Sequence, residues 1–194
     1  MNIFLVRHGE TNENNNKVYY GNIDVSLNHK GKDQMIKTAE YLKNIKFDKI
    51  FISERKRTEE SAIIISGSEK ELIADKRINE LNFGDFEGKS YEQLLDKYPE
   101  ECTEWSNNWK EFRPPNGESY IEMYNRVENF ILDLEKEELE NILIVAHSGV
   151  MRTFFAYIMD GELNTFWKFS SHNGSVATIK YEYGNWYIDE IRNP

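Results

Sequence analysis

The amino-acid sequence predicts an α/β protein, a three-layer α/β/α sandwich built around a mostly parallel central sheet. Three short runs are predominantly apolar, at residues 3–6, 49–53 and 142–146. Strands buried on both faces have such runs, whereas half-exposed strands alternate apolar and polar residues. The segments between the runs carry apolar residues at helical spacing. Strands that alternate with helices typically form a parallel sheet covered on both faces.

The elements of the first half each have their own pattern. The first strand should end at Val6 or Arg7, because charged residues follow the apolar run. Residues 28–43 predict a helix, since their apolar side chains form one stripe behind an asparagine suited to cap it. Residues 57–66 predict a second helix, which Gly67 is suited to end.

The middle of the chain is less regular. Residues 71–74 predict a short strand. Glycines and prolines mark turns over residues 79–117, where a helix is expected only at 90–98. The clearest helix follows at Ser119, which with Glu122 forms a capping box ahead of a regular apolar stripe.

The last third predicts one strand, one helix and a hairpin. The strand at 142–146 is followed by a helix from 149 that Gly161 should end. Residues 175–192 predict a β-hairpin whose turn lies at Gly184-Asn185. No internal repeat or linker interrupts the 194 residues, so we expect a single domain over 1–194.

Composition limits the possible partners and the location. The formal net charge of −10 disfavours nucleic acid and anionic membranes, but it allows a small anionic substrate if arginines are gathered in one pocket. Cys102 is the only cysteine, which excludes an internal disulfide and indicates a reducing compartment; we expect it to be partly buried and inert. No segment fits a signal peptide or a membrane span, so a cytoplasmic location is expected.

Basic residues follow three of the predicted strands. The first strand leads to Arg7 and His8, the second to Arg55 and Arg57, and the last to the group His147, Ser148 and Arg152. Ligands of open α/β sheets bind outside the carboxyl ends of the strands, where these side chains can meet. Arginine forks match phosphoryl oxygens, so a pocket of this kind suits phosphate.

His8 is the candidate nucleophile. Positive charge on Arg7 and Arg57 should lower the pKa of His8, and a neutral imidazole can attack phosphorus. A lone histidine after a strand is more often a hydrogen-bonding loop residue, and it is the convergence of three strand ends that favours catalysis. The arginines would repel a cation and no metal-ligand spacing is present, so neither metal nor cofactor is expected. The residues alone do not choose among Glu80, Asp85 and Glu87 as the proton donor.

Several blocks of the sequence together resemble one family. "LVRHGET" at residues 5–11 is similar to the signature of the histidine phosphatase superfamily, also called phosphoglycerate mutase-like. "SERKRTEESA" resembles its second arginine block and places that arginine at Arg57, not Arg55. "INELNFGDFEGKS" resembles the block with its proton donor, at Glu80, and "IVAHSGVMR" resembles that with its second histidine, at His147. The resemblance also implies a phosphate contact from Asn14.

The resemblance implies a phosphoglycerate mutase-like fold and a two-step mechanism. His8 would attack phosphorus while Arg7, Arg57 and His147 hold the phosphoryl oxygens, and Glu80 would protonate the departing oxygen. Water would then cleave the phosphohistidine. Ser148, beside His147, is a further candidate for substrate binding.

The interval from Glu80 to His147 is short for a mutase of this family and favours a phosphatase. "VYYGNIDVSL" and "PNGES" are most similar to the alpha-ribazole phosphatase branch, which belongs to cobalamin biosynthesis. The alternatives are a broad-specificity phosphatase, a phosphoglycerate mutase, or an inactive phospho-ligand-binding module. An inactive member should have lost at least one of four residues, and all four are present: His8, Arg57, Glu80 and His147.

Overall fold

The computed structural model describes all residues, Met1–Pro194. It has six strands: β1 (Asn2–Arg7), β2 (Lys49–Ile52), β3 (Ile73–Ala74), β4 (Asn141–Ala146), β5 (Val176–Glu182) and β6 (Asn185–Arg192). It has seven α-helices: α1 (Asn12–Asn15), α2 (His29–Leu42), α3 (Lys56–Ser66), α4 (Tyr91–Lys97), α5 (Pro99–Asn107), α6 (Tyr120–Leu134) and α7 (Ser148–Ile158). Three 3₁₀ segments lie at Lys76–Ile78, Gly84–Phe86 and Leu163–Lys168.

The strands form one mostly parallel sheet in the order β3-β2-β4-β1-β5-β6. Strands β1 and β2 both pair in parallel with β4, and β3 pairs in parallel with β2. The hairpin of β5 and β6 adds an antiparallel edge next to β1. The predicted α/β class with a mostly parallel sheet is therefore confirmed. Because β4 lies between β1 and β2, the three strand ends that carry basic residues are neighbours.

Strand β1 shows how the sheet separates two cores. Ile3 and Leu5 belong to a core shared with α6 and α7, while Phe4 and Val6 belong to a core shared with α2 and α3. Successive side chains of a strand point to opposite faces, so an uninterrupted apolar run serves both helix layers. This is the predicted three-layer arrangement.

The hairpin turn lies one residue earlier than predicted. Glu182 pairs with Asn185, so the turn residues are Tyr183 and Gly184, with φ angles of 55° and 76°. A two-residue turn of this kind needs positive φ at both positions. The Gly184-Asn185 pair had suggested the wrong register, because strand pairing decided which residues entered the turn.

Three further expectations need correction. Helix α5 was not predicted, because Pro99 suggests a turn; proline is also tolerated in the first turn of a helix, where its missing N–H would have no partner within the helix. The strand expected at 71–74 is only two residues long. Cys102 lies in a small core with Phe86 and is 2% exposed rather than partly buried. None of the α-helices combines the length and the apolar character that a membrane-spanning helix requires.

Candidate active site

A pocket of about 290 Å³ lies at the carboxyl ends of β1, β2 and β4. Its lining includes all of the predicted site residues: Arg7, His8, Asn14, Arg57, Glu80, His147 and Ser148. Arg152 also lines it, whereas Arg55 does not; the Arg55 guanidinium instead donates to the side-chain oxygen of Asn22 at 2.7 Å. The fold therefore brings the separated sequence blocks to one place.

His8 is buried and held in one tautomer. Its Nδ1 lies 2.7 Å from the carbonyl oxygen of Gly9, which can only accept, so Nδ1 carries the proton. The lone pair is then on Nε2. Burial is the main cause that holds the pKa of His8 well below its usual value, and the charges of Arg57 and Arg7 lower it further. The predicted direction of this pKa shift is right. Its largest cause is burial of the imidazole, however, and not the charge of the two arginines on which the prediction was based.

His147 occupies the N-cap position of α7 beside His8, with the two ring centroids 5.2 Å apart. Its Nδ1 accepts from Nε of Arg57 at 3.3 Å, so its Nε2 donates to the hydroxyl of Ser53 at 2.8 Å. Burial, followed by the charge of Arg57, keeps the pKa of His147 well below its usual value. Both imidazoles are therefore neutral, and both ring nitrogens of His147 already have protein partners.

Arg57 is fully buried without a carboxylate partner. Its guanidinium donates to the main-chain carbonyls of Ile23 at 2.9 Å and Gly21 at 2.8 Å, and it lies 4.8 Å from the ring centroid of Tyr20. These neutral partners orient the group without cancelling its charge. Burial lowers the pKa of Arg57 from its ordinary value, yet arginine remains protonated in proteins.

Arg7 and Arg152 add further cationic groups. Arg7 donates to the carbonyl of Ser171 at 2.6 Å, and its Nε has no partner. The buried Nε of Arg152 has no partner either, and its guanidinium lies 4.7 Å from the ring centroid of Trp167. Arg7, Arg57 and Arg152 outnumber the single acidic side chain of the pocket, Glu80, and this excess of positive charge suits an anionic ligand.

Glu80 is the carboxylate that faces the pocket. Its two oxygens accept from the backbone N–H groups of Leu81 at 2.9 Å and Gly149 at 3.1 Å. The carboxylate of Glu87 instead accepts from the backbone N–H groups of the loop that carries Gly21, and so supports the carbonyls that hold Arg57. The carboxylate of Asp85 accepts from the side-chain amide of Asn116 at 3.1 Å, and neither Asp85 nor Glu87 lines the pocket. Position therefore separates Glu80 from the two alternatives that the residues alone had left open.

The segment that carries Glu80 is anchored by Arg126, a residue that sequence reasoning missed. The guanidinium of Arg126 donates to the carbonyls of Arg77, Asn79 and Glu80, at 2.7, 2.7 and 3.2 Å. Glu118 pairs with it at 2.6 Å. No sequence spacing indicates these contacts, because they join α6 to a 3₁₀ segment more than forty positions away.

Asn14 and Ser148 differ in their freedom to bind a ligand. The side-chain oxygen of Asn14 accepts from the backbone N–H of Thr11 and from the amide of Asn173, so its own amide N–H groups remain for a ligand. The hydroxyl of Ser148 is 2.6 Å from that of Ser171. Asn173 was also missed by the sequence analysis; it joins Asn14 to the carbonyl of His8.

Comparison with known proteins agrees with these observations. Residues 3–194 match the family described as the histidine phosphatase superfamily, branch 1. The chain belongs to this superfamily. The predicted resemblance is thereby confirmed, and nearly the whole chain takes part in the match.

Individual relatives of this superfamily member include two kinds of phosphatase. Adenosylcobalamin/alpha-ribazole phosphatase of Escherichia coli is 30% identical over 92% of this chain and 89% of its own length. Phosphoserine phosphatase 1 of Hydrogenobacter thermophilus is 31% identical over 93% of this chain and 86% of its own length. The crystal structure of alpha-ribazole phosphatase from Shigella flexneri superposes with a TM-score of 0.94, at 29% identity, over 100% of this chain and 96% of that one. The similarity to alpha-ribazole phosphatases is therefore found in both sequence and structure.

No group of three or more histidine, cysteine, aspartate or glutamate side chains lies close enough together to hold a metal ion. Positive charge from Arg7, Arg57 and Arg152 occupies the pocket instead. The donors present therefore suit an anion rather than a cation.

Proposed function

We propose that this protein is a phosphomonoester hydrolase that acts through a phosphohistidine on His8. The observation that carries the proposal is the state of this side chain: a neutral imidazole with its Nε2 lone pair unused, set among arginines that form no ion pair with a carboxylate. Because Nε2 carries no proton, it can attack the phosphorus of an anionic ester without first losing one.

In the first step, Nε2 of His8 forms a bond to phosphorus and the ester P–O bond breaks. The protonated carboxyl group of Glu80 gives its proton to the departing alkoxide, which leaves as an alcohol. Arg7 and Arg57 stabilise the charge on the phosphoryl oxygens. The amide of Asn14 and the hydroxyl of Ser148 are further contacts for this group.

In the second step, water attacks phosphorus while the Glu80 carboxylate accepts its proton. The P–N bond breaks, its electron pair returns to Nε2, and inorganic phosphate is released. His147 supports these steps indirectly, because its Nδ1 accepts from Nε of Arg57 and so helps to orient that guanidinium. For a direct contact with phosphate, its Nδ1 would have to carry a proton instead of accepting from Arg57, and Nε2 would then accept from Ser53.

We propose alpha-ribazole 5′-phosphate as a candidate substrate, because alpha-ribazole phosphatases are similar to this chain in both sequence and structure. The phosphoserine phosphatase that matches over a similar length supports the alternative of broader specificity. We place the whole activity in one domain over 1–194, which takes a small anionic phosphorylated substrate and needs no cofactor.

Trapping the intermediate tests the proposal. Rapid alkaline quenching during turnover of a radiolabelled phosphomonoester should yield protein-bound phosphate that is stable to base and labile to acid. His8→Ala should lose both this label and turnover, whereas His29→Ala, a change at an exposed position on α2, should keep both. A His8→Ala enzyme that retained most of its activity would overturn the mechanism.

A second assay separates hydrolysis from phosphoryl transfer between positions of one molecule. The enzyme is given 3-phosphoglycerate with a bisphosphoglycerate primer. If it reacts, it should release inorganic phosphate. Efficient isomerisation without release of phosphate would identify a mutase instead.

A further inference from the structure

A second cavity, of about 300 Å³, adjoins the active-site pocket. Its walls are mainly aromatic, and the lining consists of Tyr19, Tyr91, Cys102, Trp105, Ser106, Trp109 and Trp167. Tyr19 and Trp167 line the active-site pocket as well, so the two cavities share a wall. We call this second space the outer cavity. Its volume is at the lower end of the range of small-ligand sites, roughly 300–1,000 Å³.

The three tryptophan rings around the outer cavity pack against other aromatic side chains. Trp105 stacks on Phe112 with ring centroids 5.9 Å apart, and Trp109 packs against Tyr120 at 5.2 Å. Trp167 is fixed between Trp109, at 5.7 Å, and the Arg152 guanidinium. Side chains already restrained by such packing lose less conformational entropy when a ligand binds against them.

Two of the largest side chains nevertheless remain open to solvent. Trp167 is 52% exposed and Tyr91 is 46% exposed. Covering aromatic surface of this kind is favourable, because it removes apolar area from water. The outer cavity is therefore built to receive an apolar group.

The side chains that line the active-site pocket and the outer cavity change from cationic at the strand ends to aromatic in the outer cavity. The groups suited to phosphate, including Arg7, His8 and Arg57, lie at the strand ends. Aromatic side chains, including Phe83 and Trp167, form other walls of the active-site pocket. The aromatic surface extends from there into the outer cavity, whose lining shares Trp167. A phosphomonoester bound by its phosphate would extend its alcohol portion along this aromatic surface.

We propose that the outer cavity is a subsite for a flat aromatic ring carried by the leaving alcohol of the substrate. The inference rests on the proposed function, since phosphate bound at His8 sets where the ring lies. The preferred substrates are then phosphomonoesters in which an aromatic ring is linked to the ester oxygen through a short spacer. Aliphatic phosphates of the same leaving-group reactivity are poorer substrates, because they leave the cavity walls in water.

Two pairs of compounds test this preference. The substrates are 3-phenylpropyl phosphate and propyl phosphate, both esters of primary alcohols, which therefore make a similar demand on the proton donor. The kcat/KM ratio should favour the phenyl compound by about tenfold or more, the size expected for covering one ring. The matching phosphonates measure binding without turnover, by quenching of tryptophan fluorescence, since three of the four tryptophans line the outer cavity.

Two variants change the outer cavity without touching the active-site pocket. Tyr91→Ala removes an open wall, and Leu95→Ala is its control, because Leu95 lies on the same helix with the same 46% exposure but lines neither cavity. Ser106→Phe fills the outer cavity. Asn107→Phe is its control, because Asn107 is exposed and does not line the cavity. Tyr91→Ala and Ser106→Phe should each lower the preference for the phenyl substrate by about fivefold or more and leave kcat/KM for propyl phosphate unchanged.

The outcomes distinguish the subsite from the proposed function. Equal turnover and equal binding of the phenyl and propyl compounds would overturn the subsite and leave the hydrolase intact. The opposite result is also possible: neither compound is turned over, yet the phenyl phosphonate binds more tightly and Ser106→Phe abolishes this advantage. That result would retain the subsite and overturn the proposed function. A preference that both cavity variants leave unchanged would also overturn the subsite, as would a dimer of this chain that buries the outer cavity and is lost in Tyr91→Ala.

Discussion

Gly149→Ala should disable the proposed proton donor without unfolding the protein. A β-carbon added at Gly149 would lie 2.3 Å from Oε1 of Glu80 and 3.2 Å from the end of the Met123 side chain. Gly149 lies in the first turn of α7, where alanine is favoured over glycine by roughly 0.5–1 kcal/mol. The Met123 contact needs a shift of only a few tenths of an ångström, so the free energy of unfolding should change by less than about 1 kcal/mol.

The carboxylate of Glu80 has to retreat. Ordinary contact with a β-carbon begins at 3.4 Å, so an oxygen now at 2.3 Å moves by about 1 Å. A misplacement of about 1 Å in a catalytic group can cost ~10²-fold in rate. We therefore expect kcat/KM for an alkyl phosphate to fall by ~10²-fold, within the ~10²–10⁴ that a positioned acid contributes.

The assay compares two leaving groups. An alkoxide needs the proton, while p-nitrophenolate is stable near neutral pH, so kcat/KM for p-nitrophenyl phosphate should fall much less. The ratio kcat/KM reports only the steps up to the first irreversible one, here formation of phosphohistidine. Its use removes the second role of Glu80, in activating water, from the comparison.

Glu80→Gln provides the matched control. If Gly149→Ala acts only through Glu80, the double variant should be no slower with an alkyl phosphate than Glu80→Gln alone. Two results would refute the reasoning: an alkyl phosphate activity in Gly149→Ala within twofold of the parent, or losses that add in the double variant. Equal losses of kcat/KM for both leaving groups in Glu80→Gln would mean that Glu80 binds or shapes the site without donating a proton.

Three further predictions follow from the same contacts. Activity should survive prolonged EDTA treatment, because arginines take the role that a metal ion would have at the phosphoryl oxygens; loss on chelation that one divalent ion restores would contradict this. His8 and His147 are buried with pKa values well below 6.5, so the unfolded chain binds more protons than the folded one below about pH 6.5. As the pH falls below 6.5, the free energy of unfolding should decrease with a slope that approaches ~1.4 kcal/mol per pH unit for each histidine. Urea unfolding of His8→Gln between pH 6.5 and 5 should show a pH dependence of this free energy that is shallower by the contribution of one histidine; an unchanged pH dependence would refute a buried, neutral His8. Arg126→Met should lower kcat/KM for an alkyl phosphate more than for p-nitrophenyl phosphate, because it releases the segment that holds Glu80; equal losses would indicate a purely structural role.

The electrostatics of the pocket were only partly predictable from the chain. That arginines would surround His8 followed from their places after three strands. The greater effect of burial on its pKa did not, because desolvation depends on what covers the imidazole in three dimensions. The role of Glu87 was not predictable for a similar reason. The sequence left it open as the proton donor, but in the structure its carboxylate accepts from the backbone of the loop that holds Arg57.

Local patterns failed where pairing with another element decided the outcome. The hairpin register is one case, because Glu182 pairs with Asn185 and thereby places Tyr183 in the turn. Helix α5 is another, since Cys102 gains burial only when α5 packs on the small core that includes Phe86. In both cases a contact between distant or differently paired residues outweighed the local preference.

By itself, the sequence determined the fold class and the order of the central strands and helices along the chain, and it predicted residues that line the pocket. Apolar runs and capping residues act within a few positions, so they can be recognised along the chain, and the family blocks name Arg7, His8, Arg57, Glu80 and His147. Only the tertiary structure decided how these residues meet: β4 lies between β1 and β2, the carbonyl of Gly9 sets the tautomer of His8, and Gly149 leaves room for Glu80. The outer cavity also belongs to this second class, because its walls come from helices and loops that touch only after folding. Hydrogen bonds, desolvation and close contacts depend on distances in space, and sequence separation does not specify those distances.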